Sequence, residues 1–151
     1  MMLKTHLAVA VFFALLFLPF IEYKTAFIFM VLIATYFPDV DSPNSKIGSR
    51  WYFRPLQWIA SHRGFFHSLI FLILMTALFV LFFPIVAAGF FLGYFLHIFS
   101  DSFTVEGIRF FYPFGKTSSW RIRTGGSVEM LIFLGFAIAD VVLAVVLFSI
   151  V

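Results

Sequence analysis

Five apolar runs divide the chain: Leu7 to Ile21, Ala26 to Phe37, Leu69 to Phe83, Ile85 to Phe99, and Met130 to Val151. Brief polar or proline breaks separate the first from the second and the third from the fourth, whereas longer polar stretches follow the second and the fourth. The pattern predicts two helical hairpins and a last single helix. Only the last run reaches the roughly 20 residues that a 30 Å hydrocarbon core requires; the others, about 12 to 15 residues, reach about 18 to 22 Å at 1.5 Å per residue. Helical extensions through Thr5-His6 and Ser100-Asp101-Ser102 supply the missing length and place polar groups at the interface, so full crossing is expected. The alternative is a hairpin that dips in without crossing.

Composition turns these runs into membrane helices. At 63% hydrophobic and 11% charged, with a mean hydropathy of +1.09, the 151 residues lie outside soluble globular usage. The expected architecture is all-α: a polytopic helical membrane protein of about five membrane helices, forming a single integral membrane domain over residues 1–151, with its polar loops on one face. Cysteine is absent, which excludes a disulfide framework or a thiolate site and leaves nitrogen and oxygen to hold any metal. Lys4 and the apolar run behind it imitate a signal peptide. No small-residue cleavage site follows, only Pro19-Phe20-Ile21-Glu22-Tyr23-Lys24, so the run is read as a first membrane helix.

Full crossing puts the N-terminus, the loop Pro38 to Ser68 and the loop Thr104 to Val128 on one surface. Nine of the ten basic residues then share that surface (Lys4, Lys46, Arg50, Arg54, Arg63, Arg109, Lys116, Arg121 and Arg123), and Lys24 alone lies opposite. The positive-inside rule makes the first surface cytoplasmic and the location an inner, or cell, membrane. The 25 phenylalanines suggest lipid-facing bulk.

All four histidines and all but two of the seven carboxylates converge on the same surface: His6, Asp39, Asp41, His62, His67, His97, Asp101, Glu106 and Glu129. His97 and Asp101 carry the strongest signal. Four residues apart on a helix, an imidazole and a carboxylate are separated by about 40° of rotation and can share a metal ion. At the end of an apolar helix both are otherwise costly. Asp101 can alternatively orient the His97 ring by a hydrogen bond. In Phe37-Pro38-Asp39-Val40-Asp41, proline ends a helix and an extended D-x-D directs two carboxylates to one side, which favours a divalent cation; turn chemistry explains the same residues. His62 and His67, five apart, would diverge by about 140° on a regular helix, so one of them belongs in the loop. Gly64 can bend the chain between them, and Arg63 offers a planar donor for phosphate oxygens or simply follows the charge bias. His6 taken alone reads as an interfacial side chain.

Gly125-Gly126-Ser127-Val128-Glu129 opens the last run. Its backbone N–H groups can form an anion nest, while Ser127 as a cap and Glu129 as a first-turn carboxylate explain the segment without a ligand. Asp140, about 16 Å further along, is too deep to join the surface site.

The Asp39-Val40-Asp41-Ser42 turn, the His62-Arg63-Gly64-Phe65-Phe66-His67-Ser68 stretch, and the segment from Gly93 to Thr104 running on to Gly107 and Tyr112-Pro113 together resemble the YdjM-like family of membrane-bound metal-dependent hydrolases. The resemblance covers nearly the whole chain and implies a hydrolytic reaction class rather than a substrate. An early histidine, an aspartate, a histidine and then H-x-x-x-D are more distantly similar to the zinc-dependent phospholipase C superfamily and its secreted nucleases. That similarity implies phosphoester cleavage by clustered zinc and nominates His6, Asp39 or Asp41, His62 or His67, His97 and Asp101 as ligands. Those enzymes use further histidines after the H-x-x-x-D helix and a processed N-terminal amine. Here no histidine follows His97 and the chain begins Met1-Met2, which implies one or two ions instead of three.

The expected function is a membrane-embedded, metal-dependent hydrolase acting on a phosphoester of a lipid or amphiphile at the cytoplasmic surface. The metal ligands expected are His6, Asp41, His62, His67, His97 and Asp101, holding Zn²⁺ or a similar divalent ion. One carboxylate among Asp39, Asp41 and Glu129 would serve as general base, and Arg63 with the Gly125-Gly126 amides would stabilise an oxyanion. The bilayer and a lipid-like phosphoester are the expected partners, and nucleic acid is not. The alternatives are a divalent-metal transporter and a non-catalytic metal-binding membrane protein, including one that recruits acidic partners through its basic loops.

Overall fold

In the computed structural model, which describes residues 1–41, 49–51, 54 and 64–149, the chain forms five α-helices and no strand among the described residues. Helix α1 spans Leu3–Phe17, α2 Lys24–Tyr36, α3 Leu69–Phe82, α4 Pro84–Asp101 and α5 Ser127–Ser149. Proline punctuates them. The 3₁₀ turn Leu18–Phe20, which contains Pro19, closes α1, and the 3₁₀ turn Phe37–Asp41, which contains Pro38, closes α2. In both places the missing N–H interrupts the i→i−4 ladder. Pro84 instead opens α4, where its N–H would have had no partner, and only Phe83 separates it from α3. Ser68 caps α3, accepting the Phe71 N–H on its side-chain oxygen at 3.2 Å.

The two hairpins and the last helix therefore match the hydrophobic pattern, and α1 and α4 extend through His6 and Asp101 as the span length requires. Among the described residues, three segments are long and apolar enough to cross a membrane: Leu3–Phe20, Pro84–Asp101 and Ser127–Ser149. At 13 and 14 residues, α2 and α3 are shorter, about 20 Å each.

Helix α4 is the centre of the packing, against α2, α3 and α1. Its closest partner is α2, because Gly89 and Gly93, four residues apart on one face, admit the α2 backbone. A Cβ at Gly93 would lie 2.2 Å from the Val31 carbonyl oxygen, and one at Gly89 2.7 Å from that of Phe27. Leu72, Phe90, Tyr94, Ile98 and Ile108 fill one side of this core; Ala10, Phe27 and Val31 fill the other. The phenylalanines divide accordingly. Phe27 and Phe90 are core residues, whereas Phe29, Phe82, Phe83 and Phe148 face outward.

Helix α5 leans on α1, and among its described residues only Glu129 is buried. The stretch from Ser102 to Gly126 folds over the same end as a compact loop. It is tied by isolated bridges between Thr104 and Ile122 and between Ile108 and Ser118. Gly107 turns this loop with φ +62°, and a Cβ there would sit 2.2 Å from the Ser118 carbonyl oxygen.

Candidate metal centre

Four separate parts of the fold deliver side chains to one buried point: His6 from the first turns of α1, Asp39 from the 3₁₀ turn after α2, His67 from the 3₁₀ turn Phe65–His67, and His97 and Asp101 from the last turns of α4. His6, His67, His97 and Asp101 are all buried. Each is placed by local structure. Tyr94 donates its hydroxyl to the Phe66 carbonyl, pinning the turn that presents His67, and the His67 N–H closes that turn on the Gly64 carbonyl at 3.1 Å. The Gly93 contact brings the end of α2 against α4, so that Nδ1 of His97 lies 2.7 Å from the Thr35 carbonyl oxygen.

That last bond fixes the chemistry of the ring. A carbonyl only accepts, so Nδ1 carries the hydrogen, and the neutral imidazole presents a lone pair at Nε2. Among the described residues Nε2 makes no hydrogen bond. It faces Asp39 Oδ1 and Asp101 Oδ2, each at 3.8 Å. His67 Nε2 is also 3.8 Å from Asp101 Oδ2, and His6 Nε2 is 3.2 Å from Asp101 Oδ1. A distance of 3.8 Å exceeds hydrogen-bond length. Two atoms bound to one tetrahedral zinc at about 2.0–2.1 Å lie about 3.4 Å apart. The separations thus resemble the edges of a coordination polyhedron.

Two overlapping triads result, His6–His97–Asp101 and Asp39–His67–His97, and within each the ligand atoms lie within 4.8 Å of one another. The nitrogen and oxygen donors suit zinc or a similar divalent ion. The His6 and His97 rings stack with centroids 3.9 Å apart and planes 5° from parallel. Asp39 is the outermost member, its side chain 23% exposed against 3% for Asp101. Burial nonetheless pushes its carboxyl above the usual carboxylate range, against the opposing pull of His6 and His67.

The geometry revises several sequence-based expectations. Orientation of His97 falls to the Thr35 carbonyl rather than to Asp101. Glu129, a candidate base, has both oxygens engaged: Oε1 accepts the Met2 N–H, and Oε2 accepts the Gly125 N–H at 2.6 Å. It acts as a backbone acceptor at the start of α5. The proposed anion nest is filled from within, since the Gly125 amide goes to Glu129 and the Gly126 amide to the Arg123 carbonyl at 2.9 Å. Glu106 lies on the surface and accepts from Thr124 at 3.1 Å. The Met1 amino group pairs with Asp101. His62, Arg63 and the side chain of Asp41 lie outside the described residues.

A family model described as the YdjM inner membrane protein matches residues 1–151. The chain belongs to the YdjM inner membrane protein family. Inner membrane protein YdjM of Escherichia coli (strain K12) is 37% identical over 95 residues, which cover 57% of this chain and 46% of that protein. Uncharacterized protein YvsG of Bacillus subtilis (strain 168) is 30% identical over 113 residues, 68% of each chain. The aligned part spans about half the length of the YdjM relative, at 46%. No solved structure matches. Family membership agrees with the all-helical, membrane-spanning architecture, and in this member the four buried site residues are spread from His6 to Asp101.

Proposed function

We propose that this member of the YdjM family is a metal-dependent hydrolase acting at the membrane surface on a phosphoester of a lipid or amphiphile. The observation that carries the reading is the lone pair of His97 Nε2, buried and without a hydrogen bond among the described residues, facing carboxylate oxygens of Asp39 and Asp101 at 3.8 Å. Buried polar groups are ordinarily paired, and a divalent ion held with the two carboxylates would satisfy this nitrogen.

His6, His67, His97 and Asp101 would hold the ion, with Asp39 as a further ligand at the rim. When bound, a divalent ion supplies a Lewis acid that makes water a nucleophile near neutral pH. The chain's own residues supply the rest. Thr35 holds the His97 ring in its tautomer, and the buried walls exclude bulk water. Asp39, the most exposed carboxylate of the group, would ligate through one oxygen and take a proton from water on the other. Polar groups at the helix ends would let a phosphate head group reach the site while its tail stays in the bilayer. The bias of nine basic residues to one surface supports a cytoplasmic orientation.

Transport is the weaker reading, because the candidate ligands cluster at one end of the helices, whereas transport sites lie near the midplane. Elemental mass spectrometry of the detergent-purified protein, with His97→Ala and Asp101→Ala in parallel, tests the proposal. Near-stoichiometric zinc or manganese lost in both variants, followed by turnover in a phosphoester screen, is the expected result. Negligible metal in all three after supplementation overturns it, and metal uptake into proteoliposomes would favour transport.

A further inference from the structure

An apolar cavity of about 630 Å³ lies between α1, α4 and α5. Val9, Phe13 and Phe17 form one wall, Phe91, Leu92 and Phe95 another, and Ile132 and Phe136 the third. Every one of these residues lies within a helix long and apolar enough to cross a membrane. Along α4 the lining runs from Phe91 to Ser100, about 13 Å at 1.5 Å per residue. At one end it stops beside the metal centre: Ser100 precedes Asp101, and Met1, which also lines the cavity, pairs with Asp101 through its amino group. Phe91 and Phe99 remain exposed at its rim, so it opens sideways toward the bilayer.

We infer that this groove seats one acyl chain of a bilayer lipid, so that the lipid's head-group end is presented to the metal centre. The surroundings settle the class of occupant. An open apolar groove at hydrocarbon depth is filled by hydrocarbon, and its volume falls within the roughly 300–1,000 Å³ of ordinary ligand pockets. Its lining comes from three helices and is almost wholly apolar, which suits a hydrocarbon chain. Helix α5 contributes to this shape because it leans on α1, leaving the cleft toward α4 open.

Energetics define what such a groove does. A lipid tail leaving the bilayer for an apolar slot exchanges one hydrocarbon environment for another, so there is little hydrophobic gain in affinity. The groove's effect is positional: a held tail fixes the ester end at a set depth and orientation beside Asp101. The catalytic meaning of the groove rests on the hydrolase reading, whereas its occupancy does not.

The test uses the full chain in nanodiscs of phosphatidylethanolamine and phosphatidylglycerol that carry a photoactivatable diazirine in one acyl chain, with crosslinks located by mass spectrometry and metal content measured on the same samples. Labelling at Phe13, Leu92 and Phe136 should exceed that at outward positions of α5 such as Leu131 and Val142 by several-fold. Leu92→Trp and Ile132→Trp, which fill the slot from two different helices, should each abolish the excess while metal content stays at the wild-type level. Labelling spread evenly over groove and outward positions overturns the inference, as does crosslinking of the groove to a second copy of the chain. Loss of metal with groove labelling intact would count against the hydrolase reading alone, and normal metal with even labelling against the groove alone.

Discussion

The imidazole of His97 gives its Nδ1 hydrogen to the carbonyl of Thr35 at 2.7 Å, and this one bond joins the end of α2 to the candidate metal centre. A side chain with one nitrogen committed to a carbonyl can offer only the other to a ligand. Replacing His97 by alanine should therefore lower metal affinity by more than the roughly 10–100-fold typical of losing an orienting partner. Metal titration of the detergent-solubilised variant measures this, and wild-type affinity would count against the centre.

Gly93 controls the same bond from a distance. Gly93→Ala puts a Cβ where only 2.2 Å separates it from the Val31 carbonyl oxygen, so α2 and α4 must move apart. We expect a loss of stability of about 1–3 kcal/mol, as for other overpacked sites, and a fall in metal affinity of about 10–100-fold as Thr35 withdraws from His97. Gly135, which has nothing within 4 Å of its added Cβ, is the control. Gly135→Ala should leave metal binding intact and stabilise α5 by up to about 1 kcal/mol.

In the proposed metal centre, Asp39 should set the acid limb of binding. Because burial raises its carboxyl above the usual range, protons compete with metal there at a higher pH than at an ordinary aspartate. The sign is opposite in the two forms. Metal-free protein gains stability at this position as pH falls, since the folded state binds the extra proton, and that contribution is lost as pH rises through the raised folded value. Metal-loaded protein loses its ion as pH falls. Asp39→Asn should weaken binding at neutral pH and shift its acid limb to lower pH, which metal titrations across a pH series would reveal.

Glu129 separates a structural from a catalytic carboxylate. Its two oxygens accept backbone N–H groups of Met2 and Gly125. Glu129→Ala should cost about 3 kcal/mol or more, on the scale of two charge-assisted bonds. Glu129→Gln, which keeps one of the two acceptor oxygens, should cost less and retain metal. Thermal unfolding in detergent with metal analysis checks both, and metal loss in Glu129→Gln at wild-type stability would return this residue to the site.

Much of this architecture was legible in the chain. Hydrophobic runs locate the helices because lipid tolerates few alternatives, and i,i+4 spacing brings His97 and Asp101 together because both sit on one regular helix. His6 was harder to read. Its role depends on how α1 packs against α4, which no local pattern encodes. Thr35 contributes a main-chain carbonyl, an atom every residue has, and so carried no signal at all. Gly89 and Gly93, by contrast, are readable in the sequence as a close-packing pair, four residues apart on one helix face. For Gly125-Gly126 the turn was apparent, but not that neighbouring groups would consume its amides.

The bond from Met2 to Glu129 joins residues 127 positions apart, at the opening of the first helix and of the last. A ribosome delivering this chain exposes His6 long before Glu129 exists. This contact between the openings of α1 and α5 forms only once α5 has been made. Securing the start of α1 is thus tied to synthesis of α5, and a chain truncated before α5 would lack the acceptor that holds Met2.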